Sequence, residues 1–128
     1  MKHSEAFVKL VDVVRPHIKE TTPENVLSRL KAGEKFHFVD VREDSEWQAG
    51  HAEGAIHIGR GVLERDVEGI ILDKSDEVIL YCGGGYRSAL AAFNMQKMGY
   101  TNVISMDGGI RRWRELAYPE EKPQHAKV

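Results

Sequence analysis

The sequence predicts an α/β domain, a parallel sheet packed between helices. Three observations predict it. Short apolar runs alternate with amphipathic segments along the chain, the pattern of repeated strand and helix units. The run Val78-Ile79-Leu80-Tyr81 is apolar at every position rather than every second one, as suits a strand covered on both faces. At 128 residues the chain is long enough for one hydrophobic core and too short for two conventional ones.

The elements follow in chain order. Ala6, Phe7, Leu10, Val11 and Val14 recur at helical spacing behind Ser4, which predicts an amphipathic helix capped by Ser4. Pro16 ends it, and residues 17–22 offer only a short edge strand through Ile18. Thr22 caps a second helix with Pro23 in its first turn, a stripe of Val26, Leu27 and Leu30, and Gly33 as its stop. A β-rich run covers 36–41, and Asp44 is placed to cap a small helix through Glu46 and Trp47 to Gly50. Residues 55–58 form a short strand between Gly54 and Gly59, and Val78-Ile79-Leu80-Tyr81 belongs at the sheet centre.

A helix is expected over 88–98, closed by Gly99, with Ser88, Ala91, Ala92 and Met95 on one face; such small side chains let a helix lie close on a sheet. Residues 103–106 supply a last strand, and Ile110, Trp113 and Leu116 a last amphipathic helix. From Pro119 the composition turns polar, so the tail to Val128 is expected to fray. The organisation is therefore a helical extension over 1–15, one domain over 16–118 and a polar tail over 119–128.

Composition excludes several functions. Eighteen Lys and Arg against 20 Asp and Glu give a net charge of −2, so there is no global positive field to hold nucleic acid or an anionic membrane. No apolar run approaches membrane length, and the N-terminus lacks the order of a secretory signal. A single cysteine, Cys82, rules out an internal disulfide and multi-cysteine metal sites, and a cytoplasmic protein is the expectation. His3, His17, His37, His51, His57 and His125 are scattered without ligand spacing, so no metal is expected. Trp47 and Trp113 read as core aromatics, and Arg111, Arg112 and Arg114 as the solvated face of the last helix.

One segment carries chemistry. Cys82 follows the central strand and opens Cys82-Gly83-Gly84-Gly85-Tyr86-Arg87 before a helix; the carboxyl end of a parallel strand is where open α/β sheets bind ligands. Successive glycines let backbone N–H groups turn inward as an anion nest. The helix N-terminus and Arg87 add positive charge, an environment that favours a thiolate or a persulfide. The alternative for a lone cysteine is a small buried hydrophobe, but packing gives no reason for three glycines between a strand and a helix.

These residues resemble the rhodanese family of single-domain sulfurtransferases. The resemblance spans residues 17–116 and rests on Asp40-Val41-Arg42-Glu43 with Glu46-Trp47, Gly50-His51, Gly54-Ala55-Ile56, the loop Cys82 to Arg87, Gly108-Gly109 and Trp113. It implies a central parallel five-stranded sheet flanked by helices on both faces. It also implies a thiosulfate sulfurtransferase without cofactor, in which Cys82 carries the sulfur as a persulfide. Gly83, Gly84, Gly85, Tyr86, Arg87 and Ser88 would form its cradle of N–H groups. The partners would be a small sulfur donor and a thiol, cyanide or protein acceptor. Four residues separate Cys82 from Arg87, whereas the related cell-cycle phosphatases place five there, which favours sulfur over phosphoryl or arsenate chemistry. A module that binds a partner or senses sulfur with little turnover is the competing reading, and the intact Cys82 loop argues against it.

Asp40 and Arg42, at a strand end, are candidates to orient the active loop or to form an ion pair that supports the fold. Arg60 is a candidate for the site mouth, or a surface arginine. The loop holds one basic residue, Arg87, little charge for a dianion such as thiosulfate. The N-terminal helix lies outside the family-like segment, so it is expected to be separable from the chemistry and is the one lead to self-association.

Overall fold

The computed structural model describes residues 2–123; His125 and the end of the predicted tail lie outside them. The elements are α1 (Glu5–Val14), a 3-10 turn (Arg15–His17), β1 (Lys19–Thr21), α2 (Pro23–Lys31), β2 (His37–Asp40), α3 (Asp44–Ala49), β3 (His51–Ala52), β4 (Ile56–His57), α4 (Leu63–Ile70), β5 (Val78–Tyr81), α5 (Tyr86–Lys97), β6 (Val103–Met106), α6 (Gly109–Glu115) and β7 (Glu120–Glu121). Five strands form one sheet in the order β1-β6-β5-β2-β4, every neighbouring pair parallel. Among the described residues no helix is long and apolar enough to cross a membrane.

β5 lies at the centre, and all four of its residues are buried. Because side chains alternate across a strand, β5 serves two cores. Val78, Leu80 and then Cys82 pack with Leu63, Val67, Ala91, Ala92 and Met95, on the side of α4 and α5. Ile79 and Tyr81 pack with Val26, Phe38, Ile110 and Trp113, on the side of α2 and α6. The same parity therefore places the Cys82 side chain on the α5 side.

Local signals explain the helix starts. Ser4 Oγ accepts from the Phe7 N–H at 3.2 Å, and Thr22 Oγ1 from the Asn25 N–H at 3.2 Å, as N-caps do. The cap of α3 is Glu43 rather than Asp44: Glu43 and Glu46 form a reciprocal capping box, which satisfies two orphan N–H groups where Asp44 would satisfy one. On α1, Val11 and Val14 are buried and Phe7 is half-buried, while Ala6 and Leu10 of the expected stripe face solvent.

Three further features differ from the sequence expectation. α4 had no counterpart in it. The tail does not fray at Pro119: Ala52 and His51 pair antiparallel with Glu120 and Glu121, and the Trp113 Nε1–H donates to Pro119 O at 2.8 Å. Trp47 is half-buried rather than central, stacked on His51 with ring centroids 3.4 Å apart and on His57 at 5.0 Å.

Candidate active site

The strand-to-helix turn after β5 builds the site. Gly85 is the N-cap of α5, with φ of 101°, a left-handed conformation that suits glycine. A side chain there would also meet Asp107 Oδ1 at 2.9 Å. This turn folds the loop back over Cys82, so that the Gly85 N–H donates to Sγ at 3.1 Å. The N–H groups of Gly83 and Gly84 reach no acceptor among the described residues, leaving them available to an anion.

Cys82 is 1% exposed and forms part of the floor of a pocket of about 510 Å³, which Gly83, Gly84, Tyr86 and Arg87 also line. Behind it, the thiol donates to Ser88 Oγ at 3.5 Å, and Ser88 Oγ lies 2.8 Å from Ser105 Oγ on β6. Ser105 is fully buried, so a two-hydroxyl chain approaches the sulfur from the protein side. The sequence pointed to the backbone of Ser88. The hydroxyl relay to Ser105 depends on β6 lying next to β5, which no local pattern announces.

Arg87 lines the pocket but is not free: its Nη1 donates to Glu46 Oε1 at 2.8 Å and its Nη2 to Glu46 Oε2 at 3.2 Å. Hydrogen bonds from Arg87 hold the Glu46 carboxyl below its usual range, against partial burial. The same bonds to Glu46 raise the guanidinium, against burial and with help from Cys82.

A second cation was missed. Arg111 stands on the pocket wall, with Nη2 3.1 Å from where a Cβ on Gly84 would lie. It makes no ion pair among the described residues. Its place follows from the docking of α6 on the loop, where the Ile110 and Arg111 N–H groups donate to Cys82 O at 2.9 Å and Gly83 O at 3.0 Å. Arg111 thus lines the candidate pocket and is not merely part of a solvated face.

The supporting candidates fall elsewhere. Asp40 and Arg42 are buried, 0% and 2% exposed, in a bidentate pair with Nη2 to Oδ2 at 2.8 Å. Burial opposes the charge of Arg42, but its bonds to Asp40 raise it. Arg42 also donates to Gly50 O at 2.7 Å, tying β2 to the end of α3. The pair supports the fold and does not line the pocket. Arg60 does not reach the mouth; it pairs with Glu64 one helical turn on, at 2.8 Å.

The N-terminal helix is not apart from the site. α1 packs against α5, and His3 and Phe7 line the pocket together with the glycines.

Comparison with known proteins agrees with this geometry. The family model of the rhodanese-like domain matches residues 22–116. The thiosulfate sulfurtransferase GlpE of Pseudomonas putida (strain GB-1) is 35% identical over 108 residues, covering 84% of this chain and 94% of that protein. YrkF of Bacillus subtilis (strain 168) is 33% identical over 96 residues, or 75% of this chain, which spans only 51% of YrkF. Among solved structures, RPA3614 of Rhodopseudomonas palustris, described as of unknown function and a possible tyrosine phosphatase, superposes with a TM-score of 0.84 at 28% identity, covering 94% of this chain and 98% of that one.

Proposed function

We propose that this chain, which belongs to the rhodanese-like domain family, transfers sulfane sulfur through a persulfide on Cys82. One observation carries the reading: the only sulfur nucleophile of the chain lies on the floor of a pocket that two guanidinium groups also line, with a backbone N–H already aimed at it at 3.1 Å. Preorganised donors of this kind stabilise developing negative charge without rearrangement.

The chemistry is a double displacement. The Cys82 thiolate attacks the outer sulfur of thiosulfate; a new sulfur–sulfur bond forms as the old one breaks, and sulfite leaves with the electron pair. The outer sulfur then carries the negative charge, facing the N–H groups of Gly83 and Gly84. An acceptor thiolate or cyanide attacks that sulfur, and Cys82 leaves as the thiolate, completing the cycle. The inner sulfur is held by the Gly85 N–H and by the Ser88 hydroxyl, which turns from acceptor to donor when Cys82 ionises.

The structural relative described as a possible tyrosine phosphatase raises phosphoryl transfer as the rival reading. The loop argues against it, with four residues between Cys82 and Arg87 and Arg87 occupied by Glu46. Incubation with thiosulfate or polysulfide should raise the intact mass by one sulfur atom, reversibly with cyanide, and Cys82→Ser should abolish the gain. Absence of an adduct with every sulfane donor tried would overturn the proposal.

A further inference from the structure

The pocket is larger and less polar than an inorganic donor requires. At about 510 Å³ it falls in the range that encloses whole organic ligands. One wall is aromatic: the Tyr86 ring lies 4.2 Å from His3 and 5.7 Å from Phe7, and His3 and Phe7 are 5.2 Å apart. The Arg15 guanidinium sits 5.4 Å from the Tyr86 ring centroid, which fixes that ring from outside. Arg111 lines the same pocket beside Gly84, without an ion pair among the described residues. Cys82 lines the same pocket as the three rings and the cation.

His3 and Phe7 belong to a segment that precedes the family-matched residues 22–116. Phe7 stands on a helix anchored by the Ser4 cap and by buried Val11 and Val14, and His3 directly precedes that cap. The wall is thus a fixed addition to the common domain. A small inorganic anion gains nothing from three rings, whereas a flat apolar body does.

Resting on the sulfur-transfer reading above, we propose that His3, Phe7 and Tyr86 form the specificity wall for an organic thiol that carries a flat apolar body and an anionic group, the body against the rings and the anion toward Arg111. Such a thiolate attacks the outer sulfur of the Cys82 persulfide and leaves as the organic persulfide, while Cys82 returns to the thiolate. His3 and Phe7 act on binding of the acceptor, not on the sulfur itself.

The test uses the full chain loaded once with sulfur from thiosulfate, then discharged into para-mercaptobenzoate or into cyanide. The ratio of the two efficiencies cancels any change common to both acceptors. Phe7→Ala should lower that ratio by about threefold to tenfold, the scale of a lost aromatic contact, through weaker saturation by the aryl thiol. His3→Ala, ahead of α1, should lower it in the same direction. Phe7→Leu keeps apolar volume and guards against loss of α1; it should fall between wild type and Phe7→Ala. An unchanged ratio in the folded Phe7→Leu and His3→Ala proteins would overturn the proposal, whether both rates fell together or neither fell. Failure of wild-type Cys82 to take up any sulfur is a separate result, which ends the sulfur-transfer reading and this proposal with it.

Discussion

Gly109 lies hard against the carbonyl of Cys82: a Cβ at Gly109 would run into Cys82 O and stand 2.6 Å from Gly83 O. Its φ of 52° is left-handed as well. Both neighbours are backbone of the active loop, so no side chain can turn aside. The start of α6 and the cysteine loop are therefore pressed together at a place only glycine can occupy.

Gly109→Ala should destabilise the fold by about 1–3 kcal/mol or more, the cost of overpacking, and reduce sulfur loading in the molecules that remain folded. Denaturant melts and single-turnover loading measure the two effects. Wild-type stability would contradict the close approach.

Arg87→Gln should cost about 1.5–3 kcal/mol with thiosulfate, the range for hydrogen bonds to charged groups, or roughly ten- to hundredfold in efficiency. An uncharged persulfide donor should lose less. Because Arg87 is bound to Glu46 and not to Asp40, equal loss with both donors would mean that the arginine orders the loop rather than meeting the donor. Arg111→Gln should show a smaller, salt-sensitive loss with thiosulfate, as expected of an exposed cation.

Acid should act on the Glu46–Arg87 pair. Glu46 has a lowered carboxyl in the folded protein, so its stabilisation is present above the ordinary glutamate value of about 4.3 and is lost as pH falls through the lowered one. The stability of wild type should therefore converge on that of Glu46→Gln under acid. A difference that grows on acidification would refute the assignment.

Asp40→Asn should lower stability by about 3–5 kcal/mol, since removing one member of a buried ion pair strands the other. Activity per folded molecule should change little by comparison, because the pair stands outside the pocket. A variant that melts normally yet fails to load sulfur would give Asp40 a direct role.

The central strand and the loop were legible because their signals are local. An unbroken apolar run marks β5, and three glycines before a helix mark a turn that must bend sharply. Arg111 was not legible, since on its own helix it reads as one more polar residue. It joins the site only because α6 docks on the loop through Ile110 and Arg111. α4 was obscured by charged neighbours, although Leu63, Val67 and Ile71, all buried, repeat every fourth residue and could have revealed it. Two-residue strands such as β3 and β7 carry no period at all. The inner face of α1 depended on where α5 lies, and this separated Phe7 and Val11 from Leu10.

The depth of Cys82 has a consequence for oxidation. A sulfur 1% exposed at the bottom of a concavity can meet a small thiol or thiosulfate, but not its own counterpart in a second folded copy. A disulfide needs the two β-carbons about 3.5–4.5 Å apart, and two recessed floors cannot approach so closely without unfolding a rim. Burial thus opposes crosslinking between folded copies, a protection that in a chain with a single cysteine no resolving partner could supply.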